Sequence, residues 1–202
     1  MSLWPIAAAC PRCALPIEGP LSVVCRRCRL KPPPVQSSVA AFRYGGELAV
    51  ALRRLKYANR PDLARQLAPL FTKTLVSVAQ ECNALIPVPL HWRRESARGY
   101  NQARILLSQG LNKRLRKKID AISLRRCRPT VPQSGLRARH REANVLGAFA
   151  VTQRRLSQVA GKRILLFDDI VTTGATIAAA AKALQRAGAA EIVAFAIARA
   201  PR

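Results

Sequence analysis

The sequence predicts an α/β domain, with a mostly parallel sheet flanked by helices, behind a small N-terminal four-cysteine module. Three observations carry this. Short apolar runs at Ala84 to Val88, Ile164 to Phe167 and Glu191 to Ala198 read as strands buried on both faces rather than as helices. Between them, leucine or alanine recurs at helical spacing, so strands and helices alternate as parallel sheets require. Ahead of them stand two C-x-x-C pairs.

Cys10, Cys13, Cys25 and Cys28 form those pairs, separated by eleven residues, a spacing like that of structural zinc sites. Arg12, Arg26, Arg27 and Arg29 lie in or beside the knuckles, where they would offset the charge of four thiolates. So short a segment has almost no core, and metal binding would supply most of its folding free energy, on the order of 10 kcal/mol. A redox or disulfide pair is the rival reading, but neither C-x-x-C opens an evident βαβ helix. The ribbon could cap the domain, contact nucleic acid or bind a partner. Pro32, Pro33 and Pro34 lack backbone donors and favour an extended spacer, which divides the chain into residues 1–35 and 36–202.

Val39 to Tyr44 alternates roughly and ends in Gly45-Gly46, as a strand closing in a turn does. Leu48, Leu52 and Leu55 mark an amphipathic helix ending near Lys56 and Tyr57, which are either helix-end surface or ligand contacts. Asp62 to about Val78 is a second helix, with Pro69 a point of kinking or splitting. After the Ala84 to Val88 strand come His91, Arg93, Arg94, Arg98, Asn101 and Gln102. Two arginines and amides behind a parallel strand suit a pyrophosphate, since guanidinium donors match phosphate oxygens two at a time; a solubilising basic helix face is the bland alternative. Gly99 to about Gln109 reads as a helix that Leu111 to Lys118 finishes, and Ala121 to Leu124 as a strand. Cys82 and Cys127 lack a C-x-x-C partner and read as ordinary thiols. From Arg128 to Phe149, polar residues recur mostly every three or four positions, so much of that segment could be helical; Gly147 to Val151 is extended.

Residues 163–176, RILLFDDIVTTGAT, organise the rest. The apolar run stops at Asp168 and Asp169, whose side chains point to opposite sides of an extended backbone at the strand end where open α/β sheets bind ligands. Thr172, Thr173 and Gly174 follow, and Ala175 to Ala187 is an alanine-rich helix ending before Gly188. A helix start leaves amides unpaired and adds about half a positive charge, so Thr172, Thr173, Gly174, Ala175 and Thr176 form a phosphate cradle. Carboxylates one loop away could grip a sugar diol. Phosphate at one end and diol at the other describe a ribose 5-phosphate. The bland alternative is an ordinary βαβ turn with surface acids. With one glycine and no following lysine, the loop is not a Walker A motif.

This stretch resembles the signature of the phosphoribosyltransferases, which bind phosphoribosyl pyrophosphate (PRPP). The resemblance implies that Asp168 and Asp169 hold the ribose hydroxyls and that Thr172 to Thr176 take the 5′-phosphate. PVPLHWRRESARGYNQA, with the later T-x-P-Q-x-x-L-x-x-x-x-R-x-x-N-V-x-G-A-F pattern, is similar to the ComF/GntX family, phosphoribosyltransferase-like proteins linked to competence, the uptake of DNA in natural transformation. Trp92 and Tyr100 stand where that family usually has proline and phenylalanine. The resemblance covers essentially the whole chain. It implies a phosphoribosyltransferase-like fold with Val88 to Arg94 facing the pyrophosphate. Residues 128–149 would cover PRPP, and Arg141 or Arg137 would meet charge on the leaving group. His140 reads as an exposed helix residue rather than an acid–base group. Mg²⁺ would accompany PRPP, and Zn²⁺ would occupy the cysteine cluster.

Composition agrees with polyanionic company. Lys+Arg 35 against Asp+Glu 10 gives a formal net charge of +25. Only four aspartates exist, and two are adjacent in the motif. No apolar run reaches membrane-spanning length and the N-terminus lacks signal-peptide features, so a cytoplasmic location is expected. Two functions follow: a PRPP-using transferase of unknown acceptor, or a non-catalytic factor in DNA uptake that binds single-stranded DNA or a helicase and retains the nucleotide-binding site. Neither acceptor nor oligomeric state is legible.

Overall fold

The computed structural model describes residues 3–17, 23–130 and 143–201. Among these, β1 (Ser37–Arg43), β2 (Ala84–Pro87), β5 (Arg163–Val171) and β6 (Glu191–Arg199) form a four-stranded sheet in the order β1-β6-β5-β2. Every pairing in it is parallel. The long runs behave as expected of strands covered on both sides. Along β5, Leu165 and Phe167 face one layer, while Ile164 and Leu166 face the other.

The first layer is α2 (Gly46–Tyr57), α3 (Leu63–Ala79) and α5 (Gln102–Gln109), which bring Leu52, Phe71, Leu75 and Leu106 onto the sheet. Phe167 stacks on Phe195 at 5.6 Å, with Phe71 tilted against it. Each such fully buried side chain contributes about 2 kcal/mol of transfer free energy. The opposite layer is α7 (Ala175–Arg186), whose Ile177, Ala180, Ala181 and Leu184 cover Ile164, Leu166 and Ala194. Beside α7 lies a two-stranded antiparallel flap, β3 (Leu124–Arg126) with β4 (Phe149–Val151).

Several boundaries depart from the sequence reading. β5 does not stop at Phe167 but runs through both aspartates to Val171, because β6 keeps pairing with it as far as Arg199. HWRRESAR is helical, α4 (Trp92–Arg98), started by His91 and ended at Gly99 with φ 81°. α5 therefore begins only at Gln102, and Leu111 to Lys118 does not extend it: α6 (Lys113–Arg116) is a separate turn capped by Asn112. α3 passes through Pro69 unbroken. The strand expected at Ala121 to Leu124 lies at Leu124–Arg126.

The N-terminal module, with α1 (Arg26–Leu30), docks on the β1 edge of the sheet. The Ile6 amide donates to Ala41 and the Arg43 amide to Trp4, so residues 4–6 run along β1 and satisfy backbone groups that an open edge would expose. Trp4 leaves no room for a Cβ at Gly45, which it would approach at 2.0 Å. No helix among the described residues is long and apolar enough to cross a membrane.

Candidate active site and metal centre

Asp168 and Asp169 sit within β5, both buried, and their side chains take opposite sides of the strand as alternation requires. Asp169 reaches α2, where Lys56 Nζ lies 2.6 Å from Oδ2. Burial would lower the Lys56 ammonium, but the Asp169 and Asp168 carboxylates outweigh it and raise its pKa. Among the described residues Asp168 forms no ion pair of its own. Burial first, and the neighbouring Asp169 carboxylate second, hold its pKa well above the ordinary aspartate value, with Lys56 opposing. Its Oδ1 accepts from the Asp169 amide at 2.9 Å.

The loop after β5 turns at Gly174, whose φ of 83° is the left-handed region that glycine enters without strain, and α7 begins at Ala175. Thr173 Oγ1 accepts from the Ala175 amide at 3.3 Å. Arg199 ends β6 fully buried and gathers the loop from below, donating to the carbonyls of Val171, Thr172, Ala200 and Cys13. Arg27 of α1 donates to the Thr173 carbonyl at 3.3 Å. Carbonyls are thus drawn back toward the cysteine module, while the first turn of α7 keeps the positive end of its dipole at the loop.

The residues after β2 divide by role. Asn101 is buried, caps α5 by accepting from the Ala103 and Arg104 amides, and donates to the Val88 carbonyl at 3.1 Å. Gln102 accepts from Arg98, whose guanidinium also lies 5.6 Å over the Tyr57 ring. His91 Nδ1 accepts from the Arg93 amide. Arg93 turns outward over the exposed Trp92 ring. Arg94 turns inward and donates to the Thr130 carbonyl. Val88, His91, Asn101 and Gln102 are thereby engaged within the loop itself, and Arg94 and Arg98 are the half-buried cations of the group. Arg137 and Arg141 lie outside the described residues.

Sequence reasoning left Arg126 and Arg199 unassigned and Lys56 undecided. Each is a cation at an element's end beside the acidic strand, a position that only the fold reveals.

In the N-terminal module, the sulfurs of Cys10, Cys13, Cys25 and Cys28 all lie within 4.8 Å of one another, with Cys13 and Cys25 at 3.8 Å. Zn–S bonds of about 2.3 Å in a tetrahedron put sulfurs about 3.8 Å apart, so the four fit a metal ion. The Cys25 amide donates to Cys10 Sγ, and amides from Cys25, Arg12 and Cys13 outweigh burial to bring the Cys10 thiol down to about 7. Cys28 is raised by burial first and neighbouring cysteines second, and Cys13 by burial first, with the Cys10 and Cys25 charges adding to it against a hydrogen bond from the Leu15 amide. A cation would relieve that crowding.

Comparison with known proteins extends this geometry. Residues 106–202 match the model of the phosphoribosyl transferase domain. DNA utilization protein YhgH of Salmonella typhimurium is 36% identical over 195 residues, covering 94% of this chain and 83% of that protein. The chain belongs to the YhgH/ComF/ComFC family of competence proteins. Competence protein F of Haemophilus influenzae is 32% identical over 87% of this chain and 78% of its own length. Competence protein ComFC of Bacillus subtilis is 25% identical over 94% and 77%. This chain joins a four-cysteine cluster to a phosphoribosyltransferase-like domain with a parallel sheet.

Proposed function

We propose that the crevice at the carboxyl end of β5 binds PRPP with Mg²⁺ and transfers its phosphoribosyl group to an acceptor still to be found. The observation that carries this is the continuity of β5, the acidic pair and the Gly174 turn into α7, which sets a diol-binding pair beside an anion-binding helix start. Thr172 to Thr176 take the 5′-phosphate, and Asp168 and Asp169 hold the ribose hydroxyls. Arg94 and Arg98 meet the pyrophosphate, with Arg93 on the outer side; Arg137 and Arg141, which lie outside the described residues, are the further arginines that the family resemblance supplies. Asp168, buried and in no ion pair among the described residues, would help to hold a Mg²⁺ ion, whose charge would offset that of the leaving group. As the C1–O bond to pyrophosphate breaks, the electron pair leaves with pyrophosphate and an acceptor lone pair forms the new C1 bond. Arginines stabilise the charge that develops. The acidic pair orients the sugar and is not the nucleophile.

Calorimetric titration with PRPP and Mg²⁺ tests the reading. Binding by the native protein and its loss in the Asp168→Asn/Asp169→Asn variant are expected; no binding by the native protein would sink it.

A second reading rests on the net charge of +25 and on relatives named for DNA utilization and competence: a non-catalytic factor that binds single-stranded DNA or a helicase through the basic surface and cysteine module. It predicts single-strand affinity falling steeply with salt. No affinity at low salt would remove it. In either reading the cysteine cluster holds structural Zn²⁺ and the protein works in the cytoplasm.

A further inference from the structure

Between the cysteine module and α7 lies a cavity of about 210 Å³. Its back wall is sheet, Ala40 on β1 with Ala194 and Ala196 on β6, while Ala14 of the module and Ala178 of α7 close the sides. The room exists because each of these side chains stops at Cβ. Native interiors leave few voids larger than a water molecule, and an apolar cavity of about 150 Å³ already holds benzene. This one admits a single ring with a short arm.

The polar groups of the wall are engaged with the backbone. Ser38 Oγ donates to the Arg12 carbonyl at 2.9 Å, and Thr173 Oγ1 accepts from the Ala175 amide. Arg12 donates to the carbonyls of Gln36 at 3.1 Å and Pro33 at 3.2 Å. A sugar or a nucleobase would find little to pair with inside, and buried polar groups left unpaired are costly. An apolar body meets no such penalty. Leu146, 70% exposed, stands at the same cavity and offers a ligand further apolar surface to cover.

Charge around the cavity is one-sided. Arg12, Arg27 and Lys31 line it from the module and Lys182 from α7, and no carboxylate is among its described lining residues. Lys182 follows Ala178 by one turn on the same helix face, so its stem can cover apolar wall while its ammonium stays in water. A neutral hydrocarbon leaves this rim unanswered, and a cation is repelled by it. One anionic group on an apolar ring complements both parts.

We propose that this cavity is a binding site for a small apolar monoanion of one-ring size, an aromatic carboxylate in chemical class. It takes nothing from the arginines after β2 and stands independently of the PRPP reading. Since Thr173 and Gly174 share its wall with Cys13 and Cys28, an occupant bridges the module and the loop before α7.

The test titrates phenylacetate, neutral phenylacetamide and cationic phenethylammonium into the full chain carrying labelled alanine and leucine methyls, followed by NMR. Saturable shifts from phenylacetate should fall on Ala40, Ala178, Ala194, Ala196 and Leu146. Phenylacetate should bind about threefold to fivefold more tightly than phenylacetamide, the scale of a partly exposed ion pair, with phenethylammonium weakest. Ala178→Leu fills the space and should abolish the shifts at the remaining methyls. Lys182→Gln should weaken phenylacetate about threefold and leave phenylacetamide unchanged. Lys73→Gln on α3, in the opposite layer, should change neither and controls for general charge. Melting curves confirm that each variant folds, and the exposed Lys182 position keeps the test readable if Ala178→Leu does not. No saturable shift at these methyls overturns the proposal. Equal affinities for the three probes, or phenylacetate binding indifferent to Lys182, overturn its anionic class. A short single-stranded oligonucleotide that displaced phenylacetate at far higher affinity would give the cavity to nucleic acid and overturn the proposal as well.

Discussion

Asp168 carries a conflict between stability and function. Its pKa is raised in the folded chain, so its contribution to stability is fully present below the unfolded aspartate pKa and is lost as pH rises through the folded value. At neutral or mildly alkaline pH the residue is a liability that a bound cation would relieve. Asp168→Asn should therefore raise the melting temperature by about 2–4 °C, the shift that about 1 kcal/mol gives in a domain this size, while abolishing PRPP binding. An unchanged or lower melting temperature would contradict the electrostatic account. By the same sign, binding of a Mg²⁺-containing ligand should release a proton and tighten as pH rises, readable as a dependence of the calorimetric heat on buffer ionisation enthalpy. Lys56 is the counterweight on the other side. Lys56→Ala leaves Asp169 buried without its ammonium and should cost about 3 kcal/mol in chemical denaturation. The acids were legible because two scarce carboxylates stood side by side after an apolar run. Lys56 was not, since nothing in a helix-end lysine says which strand lies opposite.

Among elements, the link between the cysteine module and the loop before α7 matters most. Arg27 holds the Thr173 carbonyl from α1, and Arg199 ties the carbonyl of Cys13 to those of Val171 and Thr172. Organising the knuckles therefore also fixes the floor of the proposed phosphate seat. Removing the metal with a chelator should lower the melting temperature by about 10 °C or more. It should also raise amide hydrogen exchange across residues 171–176. Exchange there that ignores the metal would show the two parts to be energetically separate. The alternation of strand and helix was readable from periodicity, as were the cysteine spacing and the run into α7. Missed were α4 and the length of β5. HWRRESAR carries charge on most faces and looks like a loop, yet His91 caps it and Gly99 ends it. β5 continues past its apolar run because pairing with β6, rather than hydrophobicity, holds Ile170 and Val171 extended.

For the molecule as a whole, charge and architecture pull toward different partners. A net charge of +25 attracts any polyanion, whereas the crevice has a definite chemistry. Single-strand binding governed by the surface should fall with salt as counterion release dictates, with a log–log slope set by the phosphates contacted. PRPP held by directed donors should lose far less over the same range. Parallel salt titrations of the two ligands, followed by fluorescence anisotropy and calorimetry, separate the partners, and equal slopes would deny the crevice its specificity. The sequence resemblance to ComF/GntX proteins spans both parts of the chain, and the relatives agree with it. What a linear reading could not give is how residues distant in sequence converge: Arg94 and Arg126 at Thr130, Lys56 at Asp169, Arg27 at Thr173.

The most direct measurement is a crystal structure of the protein soaked with Mg²⁺ and a non-hydrolysable PRPP analogue. The 5′-phosphate should lie within hydrogen-bonding distance of the amides at the start of α7, with the ribose hydroxyls on Asp168 and Asp169. An analogue found elsewhere, with Asp169 still closed on Lys56 and no sugar at the pair, would contradict the account.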